Sequence, residues 1–321
     1  MSRTLGGGIG YCVSTIPRVD LTTSISTLSL RNPTVLASGI LGSSIGLLRR
    51  VEEAGAGALT TKTITEKPRE GCSNPVIVDL GYGYINSLGL RNPGVEEFSR
   101  EVLKAKEYIK IPLIASIGGS NIEEFIYVGE KMLEAGSDAL ELNLSCPNAR
   151  GYGLDIGLDI ELTYKIIREL KSISSKPVLA KISIYQSQRN IIERYVDAGV
   201  DGVTAINAVK ALAINIEALS PILSSILGGL SGPCIKPITL GVIYEIHKEF
   251  PDLPIIGVGG VHSPEDAIEM ILAGSSAVGI GSAIAKNDLE IFTKIVRVLE
   301  GFMLEKGFKS VRELRGLIHR R

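Results

Sequence analysis

Ala54-Gly55-Ala56-Gly57-Ala58-Leu59 is the first of four related stretches in this chain. The others are Ala135-Gly136-Ser137-Asp138-Ala139-Leu140, Ala198-Gly199-Val200-Asp201-Gly202-Val203 and Ala273-Gly274-Ser275-Ser276-Ala277-Val278. Each follows an amphipathic stretch with helical spacing and precedes an apolar run. The glycine stands where a helix ends in the left-handed region, and a strand is due about three residues later. Each gap between copies has room for one further strand and helix. The copies therefore mark every second helix-to-strand junction, and the total is eight βα units: an α/β chain folded as a (β/α)8 TIM barrel. A signature on alternate strands suits a barrel whose interior fills in odd and even layers.

Working outward from these junctions, strands are expected at 34–38, 57–62, 112–116, 139–144, 177–182, 202–206, 254–258 and 276–280. Ser120-x-x-Glu123 and Ser263-Pro264-x-Asp266 read as capping boxes that open helices, the second with proline at the first helical position. Residues 19–31 read as an N-terminal hairpin plugging the barrel bottom. Residues 1–18, with Gly6-Gly7-Gly8, read as a tail. No linker divides 19–321, which is expected to be one domain with inserted loops at the C-terminal mouth.

A chain of 321 residues suits one barrel with insertions. A net charge of −1 provides no basic field for nucleic acid or a membrane surface. The basic ending Arg312, Arg315, His319, Arg320, Arg321 reads as the charged end of a last helix rather than a polyanion site. Cys12, Cys72, Cys146 and Cys234 are far apart and lack a C-x-x-C, so no metal or iron–sulfur site is expected from this chain alone. Asn215, Glu217 and Pro221 interrupt the apolar stretch Ala211–Leu230, which excludes it as a membrane span. Without a signal-peptide pattern, a reduced, cytoplasmic location is expected.

The expected strands are apolar in their first halves and polar or glycine-rich at their C-terminal ends, the face where barrel enzymes place their chemistry. Gly257-Val258-Gly259-Gly260 and Gly279-Ile280-Gly281-Ser282 end the last two strands. Glycine pairs there expose backbone N–H groups and admit a phosphate, although either pair alone is equally an ordinary turn. The pattern lacks the spacing and early position of a dinucleotide fingerprint. Lys62 and Lys181 end apolar strands. Each is a snorkelling end residue, a partner for a buried carboxylate, or a cation for an anion in the mouth. Asn86, Asn143, Asn148 and Asn207 suit a ring with alternating N–H and C=O groups, although each is also a common turn residue. Cys146 by itself is a small buried hydrophobe. Followed by Pro147-Asn148 and by Gly151, Gly153 and Gly157, it becomes a thiol at the root of a loop able to close over the mouth.

At this point the motifs resemble a family. Asn143-Leu144-Ser145-Cys146-Pro147-Asn148 is similar to the catalytic loop of the class 1 dihydroorotate dehydrogenases. So are Thr61-Lys62-Thr63, Ile85-Asn86-Ser87-Leu88-Gly89-Leu90, Gly229-Leu230-Ser231-Gly232-Pro233 with Lys236-Pro237, and the two glycine-rich ends above. The matches run in order from about residue 20 to 300. The resemblance implies FMN, with its phosphate on Gly259-Gly260 and Gly281-Ser282 and its rings lined by Ser38, Lys62, Thr63, Ser116, Asn143, Ile206 and Gly232. It implies that Lys181 stabilises negative charge on reduced FMN and that Lys62 also contacts the substrate carboxylate. Asn86, Ser87, Leu88, Gly89, Leu90, Asn143, Asn148, Asn207 and Ala208 would surround the dihydropyrimidine ring. Cys146 would be the base that removes the C5 proton as hydride leaves C6 for the flavin. Two departures stand out: Ser116 replaces an asparagine usual beside FMN, and Ala208 replaces a hydroxyl residue usual beside substrate.

The Leu-Ser-Gly-Pro segment looks most like class 1B, whose catalytic subunit works with a separate FAD and iron–sulfur subunit. The alternative is a class 1A-like homodimer that reduces fumarate. Competing readings are a dihydropyrimidine dehydrogenase-type flavin subunit acting on uracil or thymine, a flavin-free barrel with a Schiff-base lysine, and a flavin-binding subunit without catalysis. The carboxylate partner implied for Lys62 favours dihydroorotate.

Overall fold

The computed structural model describes residues 19–146 and 151–320. Eight parallel strands close a barrel: Thr34–Leu36, Ala58–Thr60, Leu113–Ile117, Ala139–Asn143, Val178–Ile182, Gly202–Ala205, Ile255–Val258 and Ala277–Ile280. They are hydrogen-bonded in chain order, and the eighth returns to the first through Val278 opposite Thr34 and Ile280 opposite Leu36. Each matches its expected range to within two residues at either end. The helices Ile45–Glu53, Val95–Tyr108, Ile122–Glu134, Ile160–Ile173, Arg189–Asp197, Lys236–Glu249, Pro264–Ala273 and Glu290–Lys306 each follow one strand.

Strand alternation sorts the core into two. Outward residues such as Leu36, Leu59, Ala115, Leu142, Ala180 and Ile280 pack against the helices, with Leu48, Phe98, Phe125 and Ile166 on the facing side. Val35, Ala58, Ile114, Ala139, Leu179, Ile256 and Ala277 form a separate cluster with Ile25, Leu28 and Leu30. These last three belong to the hairpin Thr23–Ile25/Leu28–Leu30, which plugs the barrel bottom as expected.

The fourfold sequence repeat has a structural cause. Gly55, Gly136, Gly199 and Gly274 have φ of +98°, +96°, +92° and +132°, a range that L side chains rarely adopt. Two residues further on, Asp138, Asp201 and Ser276 accept the backbone N–H of Leu113 (2.8 Å), Val178 (2.8 Å) and Ile255 (3.4 Å). Those are the first residues of the third, fifth and seventh strands. In the first copy the position is Gly57, crowded by Asn32, and Asn32 Oδ1 accepts the Thr34 N–H at the start of the first strand. Three of the four even junctions thus satisfy an odd strand's leading donor, and in the first Asn32, packed on Gly57, does so instead, which accounts for a signature that skips every other unit.

Two expectations need correction. The helix at 122 is capped by Asn121, not Ser120. Asn121 Oδ1 accepts the Glu124 N–H at 2.9 Å, and the Glu124 carboxylate accepts the Ser120 N–H at 2.7 Å. Asparagine caps as well as serine, and the glutamate one place later has the reach. The Ser263–Asp266 box forms as read, with bonds of 3.2 and 2.8 Å. The basic ending is not merely a charged helix end. The Arg315 guanidinium donates to the carbonyls of Gly274, Leu253 and Pro251 and ties down the base of the barrel.

The inserted loops at the mouth are more ordered than expected. Ile77–Asp79 and Tyr84–Asn86, after the second strand, join Val209–Leu212 and Leu227–Ser231, after the sixth, in a four-stranded antiparallel sheet. The interrupted apolar stretch 211–230 supplies half of it. Among the described residues no helix is long and apolar enough to cross a membrane.

Candidate active site

The C-terminal strand ends and the inserted sheet enclose a cavity. Its wall includes Ser38 after the first strand, Lys62 and Thr63 after the second, Asn143 and Cys146 at the fourth, and Lys181 in the fifth. Ile206, Asn207 and Ala208 follow the sixth strand, Gly259 and Gly260 the seventh, and Gly281 and Ser282 the eighth. Asn86, Leu88, Gly89, Leu90 and Gly232 come from the inserted segments. Two of the expected residues are not on this wall. Ser116 is fully buried behind Thr63, and Ser87 is fully buried with its Oγ 3.6 Å from Cys72 Sγ. Asn148 lies outside the described residues.

A polar chain runs across the floor. Asn143 Nδ2 donates to Thr63 Oγ1 at 2.9 Å, and Thr63 Oγ1 lies 3.0 Å from Ser116 Oγ and 3.4 Å from Ser38 Oγ. Ser116 therefore supports the site through Thr63, because serine's short arm ends there. Asn207 is fixed from both ends: its Nδ2 donates to Ser145 Oγ at 3.0 Å, and its Oδ1 accepts the Ala208 N–H at 2.8 Å.

One side of the cavity is built from glycine. Gly259 and Gly260 have φ of +121° and +89°, and a Cβ on Gly260 would lie 2.6 Å from Lys236 Cα, so only glycine fits. Among the described residues no protein acceptor takes the N–H of Gly260, Gly281 or Ser282. The helix Pro264–Ala273 begins just beyond the first loop, and the short helix Ile284–Asn287 just beyond the second. Free donors, left-handed glycines and an extra helix after the eighth strand make a cradle that could take an anion. His262 Nε2, 3.0 Å from Ser282 Oγ, joins the two loops. Burial holds its imidazole below the usual histidine range, with Lys286 adding to that and Asp266 opposing it. Lys236 is committed elsewhere, to Asp266 (2.6 Å) and Glu269 (2.9 Å).

The other side carries the cations and the thiol. Burial pushes the Lys62 ammonium below the usual lysine range; Cys146 opposes that shift, while Lys181 and Arg91 add to it. Lys181 is almost fully buried, with Nζ 3.8 Å from Glu141 Oε1. Two readings of this lysine thus meet in one residue, which lines the cavity and has a buried carboxylate beside it. The backbone next to Cys146 is held by the Leu154 N–H, which donates to the Cys146 carbonyl at 3.1 Å. Sequence reasoning missed Glu141, His262 and the inserted-sheet residues Tyr84 and Ile77, and placed Ser145 and Ser231 in motifs without giving either a role. Glu141 had a signal, as the lone acid in an apolar strand two residues before Asn143. Tyr84 and Ile77 had none without the sheet. Among the described residues no group of three His, Cys, Asp or Glu side chains is placed to hold a metal.

Comparison with known proteins agrees with this geometry. The family model described as dihydroorotate dehydrogenase matches residues 20–303. The chain is 44% identical over 291 residues to the dihydroorotate dehydrogenase B (NAD(+)) catalytic subunit of Pyrococcus abyssi, covering 90% of this chain and 96% of that one. It is 45% identical over 303 residues to the protein of the same name from Thermoplasma volcanium, covering 94% and 99%. Against that of Methanocaldococcus jannaschii it is 43% identical over 305 residues, covering 93% and 98%. With a glycine-built cradle on one side of the barrel mouth and a thiol with cations on the other, this chain belongs to the dihydroorotate dehydrogenase family.

Proposed function

We propose that the chain oxidises (S)-dihydroorotate to orotate in pyrimidine biosynthesis, with FMN as its flavin. One observation carries the reading. A single cavity holds the glycine-rich loops, Lys181, Cys146 and Lys62, which supports a reading in which a flavin phosphate, a flavin ring and a carboxylate-bearing substrate would each find a partner there. FMN, when bound, supplies the hydride acceptor. The chain's own groups do the rest. The N–H groups of Gly260, Gly281 and Ser282, with Gly259, would take the phosphate. Ser38, Thr63, Ile206 and Gly232 would line the flavin, with Ser116 behind Thr63. Lys181 would hold negative charge at the ring. Lys62 would pair with the substrate carboxylate. Asn86, Asn143, Asn148 and Asn207 would orient the substrate ring, with Leu88, Gly89, Leu90 and Ala208 against it and Ser87 in support. Cys146 would accept the C5 proton as a thiolate, in a cavity that the inserted sheet covers in part.

Purified protein should be yellow, release FMN rather than FAD on denaturation, and bleach anaerobically with dihydroorotate but not with dihydrouracil. A colourless, folded protein that refuses added FMN, or bleaching by dihydrouracil alone, overturns the reading. The dihydropyrimidine alternative is not favoured, since the relatives above carry the dihydroorotate name.

The same names include "NAD(+)" and "catalytic subunit". This supports a hetero-oligomer in which a separate FAD and iron–sulfur subunit carries electrons to NAD, docking near the flavin edge. The chain alone should then reduce dyes but not NAD. Rapid NAD reduction without a partner overturns the two-subunit arrangement, and rapid fumarate reduction favours a homodimer instead.

A further inference from the structure

The eight barrel strands contain two ionisable side chains, Glu141 and Lys181, and the two are partners. Their side chains are 2% and 7% exposed, with Lys181 Nζ 3.8 Å from Glu141 Oε1. That separation is too long for a hydrogen bond and well within electrostatic reach. Glu141 Oε1 has no hydrogen-bond donor among the described residues. Thr204, opposite Lys181 in the ladder, likewise has an Oγ1 with no partner there. Stability alone gives no reason to keep such a pair, since burying two charges costs about as much as their attraction returns. Glu141 lies two residues before Asn143, so it faces the same way, one layer below the cavity floor. It does not line the cavity, whereas Lys181 does.

We propose that Glu141 is a positioning residue that acts through Lys181. Its carboxylate draws the ammonium toward the barrel axis and offsets part of its charge. It thereby sets how strongly Lys181 favours the reduced over the oxidised flavin. This rests on the placement of Lys181 beside the flavin in the proposed function.

The test is the midpoint potential of bound flavin, measured by dye equilibration in the holoprotein. Wild type, Glu141→Gln, Lys181→Met and the double variant are compared. Glu141→Gln should favour reduced flavin by about tenfold, which is ~30 mV for a two-electron couple. In the Lys181→Met background the same change should move the balance less than about twofold. An unchanged potential in Glu141→Gln overturns the inference. So does an equal shift with and without Lys181, because the carboxylate would then act on its own. If Glu141→Gln fails to fold, Glu141→Asp, which withdraws the charge by one methylene, should shift the potential in the same direction. An unshifted potential there also overturns the inference. A wild-type protein that binds no flavin overturns the proposed function and this inference with it, and shows itself before any variant is made.

Discussion

His262 Nε2 and Ser282 Oγ lie 3.0 Å apart, so the loop after the seventh strand is bonded to the loop after the eighth. Each loop contributes glycine N–H groups to the same cradle, and the bond fixes their spacing. His262→Ala should therefore weaken FMN binding without changing the absorption of the flavin that remains. One hydrogen bond is worth about 0.5–1.5 kcal/mol, or roughly two- to tenfold in Kd. Titration of apoprotein with FMN measures it, and an unchanged Kd would place the phosphate elsewhere.

If Lys62 pairs with the substrate carboxylate as proposed, it should set the alkaline limit of substrate binding. Burial, with Lys181 and Arg91 nearby, holds its pKa below the ordinary lysine value of 10.5. A carboxylate needs the ammonium form, so orotate affinity should fall as pH rises through that lowered pKa, earlier than for an exposed lysine. Lys62→Ala should remove this limb and raise the Kd for orotate about 10- to 100-fold, the range for a charge-assisted bond. Uracil, without the carboxylate, should lose far less. Equal losses for both ligands would assign Lys62 to the flavin alone.

The barrel was legible because its signals are local. Gly55, Gly136, Gly199 and Gly274 each announce a helix end within a six-residue window, and strand alternation does the rest. The mouth was less so. Residues 77–86 and 209–231 pair with each other across more than a hundred positions, and strands of three to five residues leave no period to read. Ser87 and Ser116 looked like wall residues, but Ser116 points into the barrel from its strand, and Ser87, just after the strand Tyr84–Asn86, is buried against Cys72. His262 was hidden because a residue after Gly-Gly reads as part of a turn. The capping error at Ser120 came from two adjacent capping residues and two adjacent glutamates, where only geometry chooses.

Asp201 shows what the repeat is worth. Its carboxylate accepts the Val178 N–H at 2.8 Å and the Lys171 ammonium at 2.6 Å. Asp201→Ala leaves the leading donor of the fifth strand unpaired, at a cost of about 1–3 kcal/mol. Urea unfolding should show a lower midpoint, and Asp201→Asn, which keeps an acceptor, should recover part of it. No difference between the two variants would mean that the carbonyl acceptor is irrelevant.

His247 should govern part of the acid stability. Burial, helped by Arg315, His319 and Arg320 and opposed by Asp252, lowers its pKa from 6.5 to about 4. Its Nδ1 has no partner among the described residues, and its ring meets that of His319 edge-on, with centroids 4.9 Å apart. The unfolded chain takes up a proton near pH 6.5 and the folded chain only near 4. The contribution is therefore complete above about pH 6.5 and is lost as pH falls toward 4. His247→Gln should flatten the fall in unfolding midpoint across that window. An equally steep fall would shift the acid response to the carboxylates.

Cys146 is the sharpest test of the chemistry. Its side chain lines the cavity with Lys62, and the two groups interact electrostatically. A thiol must lose its proton to act as a base, and the ordinary cysteine pKa is about 8.5. The rate of anaerobic flavin bleaching by dihydroorotate should thus rise with pH until the thiolate is fully formed. Cys146→Ala should keep flavin and orotate binding but slow bleaching by about 10²–10⁴-fold, the usual contribution of a general base. Cys146→Ser should fall between them, since a hydroxyl keeps the geometry while holding its proton more tightly. Stopped-flow bleaching across pH for the three proteins decides it. If the alanine variant reduces flavin at the wild-type rate, or keeps the wild-type pH profile at any rate, another group removes the proton.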